Sequence, residues 1–227
     1  GLIPFFILLS FYFLKKNTVL AAIFLAVGTL IKPQAGFVAP LFVLYFFKNS
    51  QAKNILIFGL ISLIVFVLGF IPFTNLGNLI PFIFDRLGFS ASQYPYTSIN
   101  AFNFWAIVYP FWNSDSQVNL LSWIMVGVLS LIILFLQPYK KDKRYFGFGI
   151  AMIMLIIFLF LTRIHERHLL PIFAPLAIFA TAIPVVWIAY IVLSVTYLLN
   201  MLFSYVWATQ NYFWIFPQET IKIISLI

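Results

Sequence analysis

The sequence predicts an all-α protein: a polytopic bundle of transmembrane helices, some of them short or broken, with an external loop that carries interfacial helices. Three observations predict it. Of the 227 residues, 64% are hydrophobic and only 8% charged, against about 25% charged in a soluble domain. Mean hydropathy is +1.08. The apolar residues come in runs, several near the roughly 20 residues that cross a bilayer, and basic residues gather in the short stretches between them.

Taken in order, residues 2–14 form an apolar run that ends at Lys15-Lys16-Asn17. Residues 18–31 and 35–47 are two apolar arms split by Lys32-Pro33-Gln34. Residues 54–73 make a full-length span, and a long stretch rich in Pro, Gly, Asn and aromatics follows, the external loop at about 74–118. Residues 120–136 and 145–161 are two further spans, joined by Lys140-Lys141-Asp142-Lys143-Arg144. Residues 169–183 and 185–208 are apolar runs split by Pro184, and 210–220 is a short aromatic loop. Both ends fall inside apolar sequence. The chain therefore reads as one transmembrane domain over residues 1–227, truncated at both ends.

Basic loops set orientation. The loops with Lys15/Lys16, Lys48/Lys53 and residues 140–144 hold eight Lys or Arg and one acid, which places all three in the cytoplasm. Parity then puts Lys32-Pro33-Gln34, the 74–118 stretch and the cluster Arg163-Ile164-His165-Glu166-Arg167-His168 on the external side. The net charge of +8 is thus a topology signal, and no nucleic-acid partner is expected. Cysteine is absent, which excludes disulfides and thiolate metal sites.

Three motifs carry candidate chemistry. Pro33 disfavours helix at Lys32, so Lys32 and Gln34 are expected at the tip of a broken hairpin, a cation and an amide lining a cavity. The bland alternative is a turn with a snorkelling lysine. In Ser98-Ile99-Asn100-Ala101-Phe102-Asn103-Phe104-Trp105, Asn100 and Asn103 are three residues apart. On a helix they would share a face and grip sugar hydroxyls; the alternative is a helix cap beside an aromatic belt. In the charged cluster, helical spacing would stack Arg163 and Arg167 with Glu166 on one side, and His165 with His168 on the other. Two guanidiniums fit a phosphate, with Glu166 orienting one of them. The two histidines with Glu166 also suggest a divalent metal, but the spacing is not the His-Glu-x-x-His of zinc hydrolases, so no metal ligand is assigned. Here the alternative is a solvated turn.

The order of these motifs resembles the Gpi18-related mannosyltransferases of the GT-C superfamily. It runs from Lys-Pro-Gln through Asn-Ala-Phe-Asn-Phe-Trp and His-Glu-Arg-His-Leu-Leu-Pro to a Tyr190–Asn200 segment. His168 stands where the family more usually has Tyr. The resemblance implies a GT-C-like multi-pass enzyme of a bacterial or archaeal plasma membrane. It would move mannose or another hexose from a polyprenyl-phosphate carrier to a glycan, lipid or protein acceptor on the external face. The lipid-linked sugar is a substrate, and no resident cofactor is implied. The family's catalytic Asp belongs to an earlier external loop, so no catalytic residue is assigned here. Asp85 and Asp115 do not match its position. The rival reading is a transporter or flippase for an anionic lipid or solute, which also uses broken helices and intramembrane charge.

Overall fold

A computed structural model describes residues 1–137, 142 and 144–226. Lys140, Lys141 and Lys143 of the third basic loop lie outside the described residues. Among those described, the chain is all-helical, with no strand. It divides into two compact units, Gly1–Gln93 and Tyr94–Ile227.

The first unit opens with α1 (Leu2–Phe13) and α2 (Thr18–Ile31). Asn17 caps α2, its side chain accepting a hydrogen bond from the Leu20 N–H (3.1 Å), a role that Asn fills because its short amide reaches the free amides of a first turn. The two helices pack closely because Ala21 and Ala22 are small and fully buried, and Ser10 Oγ donates across to the Ala21 carbonyl (2.7 Å). Helix α2 stops at Lys32, whose backbone is extended (φ −157°), as a residue before proline requires. A 3-10 segment, Pro33–Val38, then folds back on α2, with Gly36 against Thr29 and Ala35 against Gly28. Helices α3 (Ala39–Lys48) and α4 (Ala52–Leu68) join through stacked Phe42 and Phe58, 5.4 Å between ring centres. Within the stretch 74–118 the chain forms α5 (Leu79–Ser92), with only Leu79 and Ile83 buried.

The second unit is built around α8 (Arg144–Phe160), whose buried residues range from Phe146 to Phe158. It forms an antiparallel hairpin with α7 (Asn119–Leu136). One end is tied by Gln137 Nε2 donating to the Tyr145 carbonyl (2.7 Å), the other by Asn119 Nδ2 donating to Thr162 Oγ (3.0 Å). Before the hairpin stands α6 (Phe104–Val108); after it come α9 (Phe173–Ala180), α10 (Val186–Thr209) and α11 (Gln218–Leu226). At Gly147 a Cβ would stand 2.7 Å from the Pro175 carbonyl oxygen, so this glycine sets the close approach of α8 and α9.

Among the described residues three helices are long and apolar enough to cross a membrane: Ala52–Phe73 with its 3-10 extension, Asn119–Leu136 and Val186–Thr209. Their apolar flanks are largely exposed, with no more than 11% of each apolar window buried. An 18-residue helix such as α7 is about 27 Å long, near the thickness of the hydrocarbon layer. The apolar run 169–183 is not one continuous helix, since Pro171 breaks it before α9 begins. The chain instead makes a 3-10 segment, Glu166–Ile172, and the eight-residue α9.

Candidate functional site

The charged cluster and the Asn100–Trp105 motif, remote in sequence, meet in one loop platform of the second unit. Residues 94–101 run between residues 111–115 and 162–165. On one side Thr97 N–H donates to the Asn113 carbonyl (2.8 Å), Trp112 N–H to Ser98 (3.0 Å) and Asp115 N–H to Pro95 (3.1 Å). On the other, Arg163 N–H donates to Tyr96 (2.9 Å) and Ile99 N–H to Ile164 (3.0 Å). The backbone at Ile99 and Asn100 bridges to His165. These short pairings satisfy loop amides that would otherwise be buried without partners.

The platform is fastened to helix ends. Asn103 Oδ1 caps α6 by accepting from the Ala106 N–H (3.2 Å), while its Nδ2 donates to the Phe158 carbonyl (3.2 Å). Trp105 Nε1 donates to the Phe160 carbonyl (2.8 Å). Both carbonyls belong to the last turn of α8, which has no partners within its own helix. From α10, Asn200 Nδ2 donates to the Asn100 carbonyl (2.5 Å) and its Oδ1 accepts from the Phe102 N–H (3.0 Å). Asn200 is 1% exposed, so one buried amide holds both sides of a loop turn. Below it Phe102, Phe111, Phe203 and Ile221 form a small core that α11 completes.

At the centre lies an ion pair. Arg163 Nε donates to Asp115 Oδ2 (2.7 Å) and Nη2 to Oδ1 (3.1 Å), while Thr162 Oγ (2.9 Å) and Asn119 Nδ2 (3.0 Å) also donate to Oδ2. Asp115 is 1% exposed; the Arg163 side chain is 27% exposed. Burial by itself raises the Asp115 carboxyl. The hydrogen bonds from Arg163 and Thr162, the Arg163 charge and the Asn119 bond together outweigh it, and hold the group below the usual carboxylate range.

The backbone is strained at this place. Among the described residues seven non-glycine residues have positive φ, and four of them, Tyr94, Asn100, Trp112 and Arg163, are in the platform. For a bulky residue such as Trp112 (φ 61°) that region costs on the order of 1–2 kcal/mol and persists only where the surroundings enforce it, as they do at functional sites.

The histidines stand side by side. The His165 N–H donates to His168 Nδ1 (3.2 Å), so a neutral His168 carries its proton on Nε2. The two rings meet edge to face at 5.6 Å, and Tyr94 packs edge-on to His165 at 5.2 Å. Trp112 joins Tyr94 and Tyr96 to Trp207, on which it stacks at 5.3 Å. Glu166 is nearly covered, with 12% of its side chain exposed, and lies 3.4 Å from Arg167, whose side chain is 57% exposed.

Two geometric expectations are corrected. Arg163 and Arg167 do not stack on one helix face: Arg163 is in a left-handed turn (φ 65°) before the 3-10 segment begins, and its fork faces Asp115. Asn100 and Asn103 do not share a helix face either. Asn100, also left-handed (φ 57°), accepts from Trp112 Nε1 (3.0 Å), and Asn103 is the cap of α6. Both amides are engaged within the protein, so they shape the platform. Of the other expected site residues, His165, Glu166, Arg167 and His168 are in the platform. Lys32, half-buried, and Gln34, buried, belong to the first unit. No group of three or more His, Asp and Glu suited to a metal ion stands together among the described residues.

The sequence reading set Asp115 aside and gave no site role to Asn119, Thr162 or Asn200. The available signal was polarity out of place: a Ser-Asp-Ser in an aromatic loop, and an asparagine within the apolar α10.

Compared with family models, curated proteins and solved structures, the chain matches none.

Proposed function

We propose that this chain is part of a multi-pass membrane glycosyltransferase of the GT-C type. It takes mannose or another hexose from a polyprenyl-phosphate donor and passes it to an acceptor on the extracytoplasmic face. The observation that carries the reading is the joining of two distant motifs, 94–103 and 162–168, into one strained platform at the end of the α7–α8 hairpin opposite the Gln137–Tyr145 contact. Charge and strain are costly, and this fold concentrates both beside candidate spans.

The residues divide the work. A sugar leaving a lipid phosphate needs cations on the departing phosphate and no general acid. Arg167, exposed and steadied by Glu166, meets that phosphate. Arg163 keeps an exposed edge but is oriented by Asp115. Asp115 is a poor base, since four hydrogen bonds hold it ionised. The carboxylate that takes the acceptor proton therefore lies elsewhere, and Asp115 is a positioning residue. The Tyr94–His165–Trp112 surface offers aromatic faces for the apolar side of a sugar ring.

The test is incubation of the full-length protein in sealed vesicles with a polyprenyl-phosphate sugar and an acceptor. Transfer of the sugar supports the reading. Movement of the intact donor across the bilayer without transfer would replace it with a flippase.

A further inference from the structure

The first unit carries a cationic cleft that the transferase reading does not use. Its volume is about 340 Å³, and it is lined by Lys15, Lys16, Asn17, Tyr45, Gln51 and Asn54 among others. It lies where the α1–α2 turn meets the start of α4. The Lys15 ammonium is 5.7 Å from the Tyr45 ring centre and that of Lys16 is 3.7 Å from Tyr12. The two charges are thus carried on aromatic surfaces at the rim.

Charge in the first 84 residues is of one sign. The chain has Lys15, Lys16, Lys32, Lys48 and Lys53 before its first acidic residue, Asp85. Asp85 is on α5 and pairs with its neighbour Arg86 at 2.5 Å. No carboxylate of this unit lines the cleft. The cleft also sits at the end of the apolar span Ala52–Phe73, and Tyr12, Phe47 and Leu56 nearby are 53%, 68% and 67% exposed. An anion here would have apolar surface beside it. The volume is at the small end of ligand sites, which run from about 300 to 1,000 Å³. It suits a headgroup better than a larger soluble molecule.

We infer that this cleft binds the phosphate of an anionic membrane lipid. The lysines and the cleft's amide and hydroxyl groups hold the headgroup, while the acyl chains lie along the exposed flank of α4. This inference is independent of the transferase reading.

The test uses the full chain in detergent, titrated with phosphatidylglycerol and with phosphatidylcholine of the same acyl chains, with retained lipid read by native mass spectrometry. Phosphatidylglycerol is retained preferentially. The double variant Lys15→Gln/Lys16→Gln weakens that retention by about thirty-fold, the loss expected for two lysines near an anionic surface. Lys48→Gln/Lys53→Gln, outside the lining, leaves it unchanged. Equal loss in both double variants would mean diffuse surface charge and overturn the site, as would equal retention of the two lipids. Displacement of phosphatidylglycerol by millimolar inorganic phosphate would reassign the cleft to a soluble anion. Should the first variant fail to fold, photo-crosslinking of a phosphatidylglycerol analogue to the unaltered protein decides: labels at residues 14–18 or 51–54 support the site, and labels confined elsewhere overturn it.

Discussion

Arg163 grips Asp115 through two atoms, Nε to Oδ2 at 2.7 Å and Nη2 to Oδ1 at 3.1 Å, across 48 positions of sequence. The contact joins the loop before α7 to the loop after α8 and closes the open end of that hairpin. Removing one partner strands the other charge in a largely dry place. Asp115→Asn should therefore destabilise the protein by about 3 kcal/mol. Replacing both, as Asp115→Leu/Arg163→Met, should recover part of that loss. Thermal unfolding in detergent measures both variants. Additive losses in the double variant would show that the pair is not coupled.

The same pair gives a pH dependence. The Asp115 carboxyl titrates lower in the folded state than in the unfolded chain, so the unfolded state binds the proton first as pH falls. The pair's contribution is then full above about pH 4, the unfolded carboxylate value. It is lost as pH drops through the lower folded value. Unfolding temperatures between pH 7 and pH 3 should fall on the acid side, and less so in Asp115→Asn. Parallel curves for the two proteins would contradict this.

Asn200 gives a second structural test. It makes two hydrogen bonds to the loop at Asn100 and Phe102, and an apolar replacement leaves a buried N–H and a buried carbonyl unpaired. Asn200→Leu should cost roughly 2–4 kcal/mol. Asn200→Asp, which keeps the acceptor, should preserve protection of the Phe102 amide better than Asn200→Leu. Hydrogen exchange at Phe102 reads this directly. Equal protection in all three proteins would mean that the amide does not hold the loop.

The basic loops predict a sidedness that has its own measurement. Cysteines placed at Lys48 and Lys141 should label only from the cytoplasm, and one placed at Ser114, in the loop before α7, only from outside. Cytoplasmic labelling at Ser114 would turn the platform to the wrong face for a lipid-linked sugar donor.

What the sequence discloses here is local. The apolar runs 54–73, 120–136 and 185–208 coincide with the three long helices within two residues at each end, because continuous apolar sequence in a chain this hydrophobic has few other uses. In the run 169–183 hydropathy does not register the helix break at Pro171. Pairings at long range are hidden too. Nothing near Arg163 in the sequence points to Asp115, and the i,i+4 spacing of Arg163 and Arg167 assumes a helix that the left-handed turn at Arg163 excludes. Residue type marks the cluster in the sequence, but which arginine is held and which is exposed is a property of the fold.

That distinction decides the last prediction, which depends on the transferase reading. Arg163 is tied to a buried carboxylate, whereas Arg167 leaves 57% of its side chain exposed and is only loosely steadied by Glu166 at 3.4 Å. Arg167 is therefore the guanidinium available to a lipid phosphate. Its planar fork makes paired hydrogen bonds that a lysine ammonium cannot reproduce. Arg167→Lys keeps the charge and should still slow turnover, by about ten- to a hundred-fold, the equivalent of a charge-assisted bond worth roughly 1.5–3 kcal/mol. Arg86→Lys is the control: Arg86 is exposed on α5 and faces its neighbour Asp85, so transfer should stay near the parent rate. Both are measured as sugar transfer from a polyprenyl-phosphate donor at matched membrane abundance. If the two variants behave alike, Arg167 does not touch the phosphate, and the exposed part of the cluster is a solvated turn.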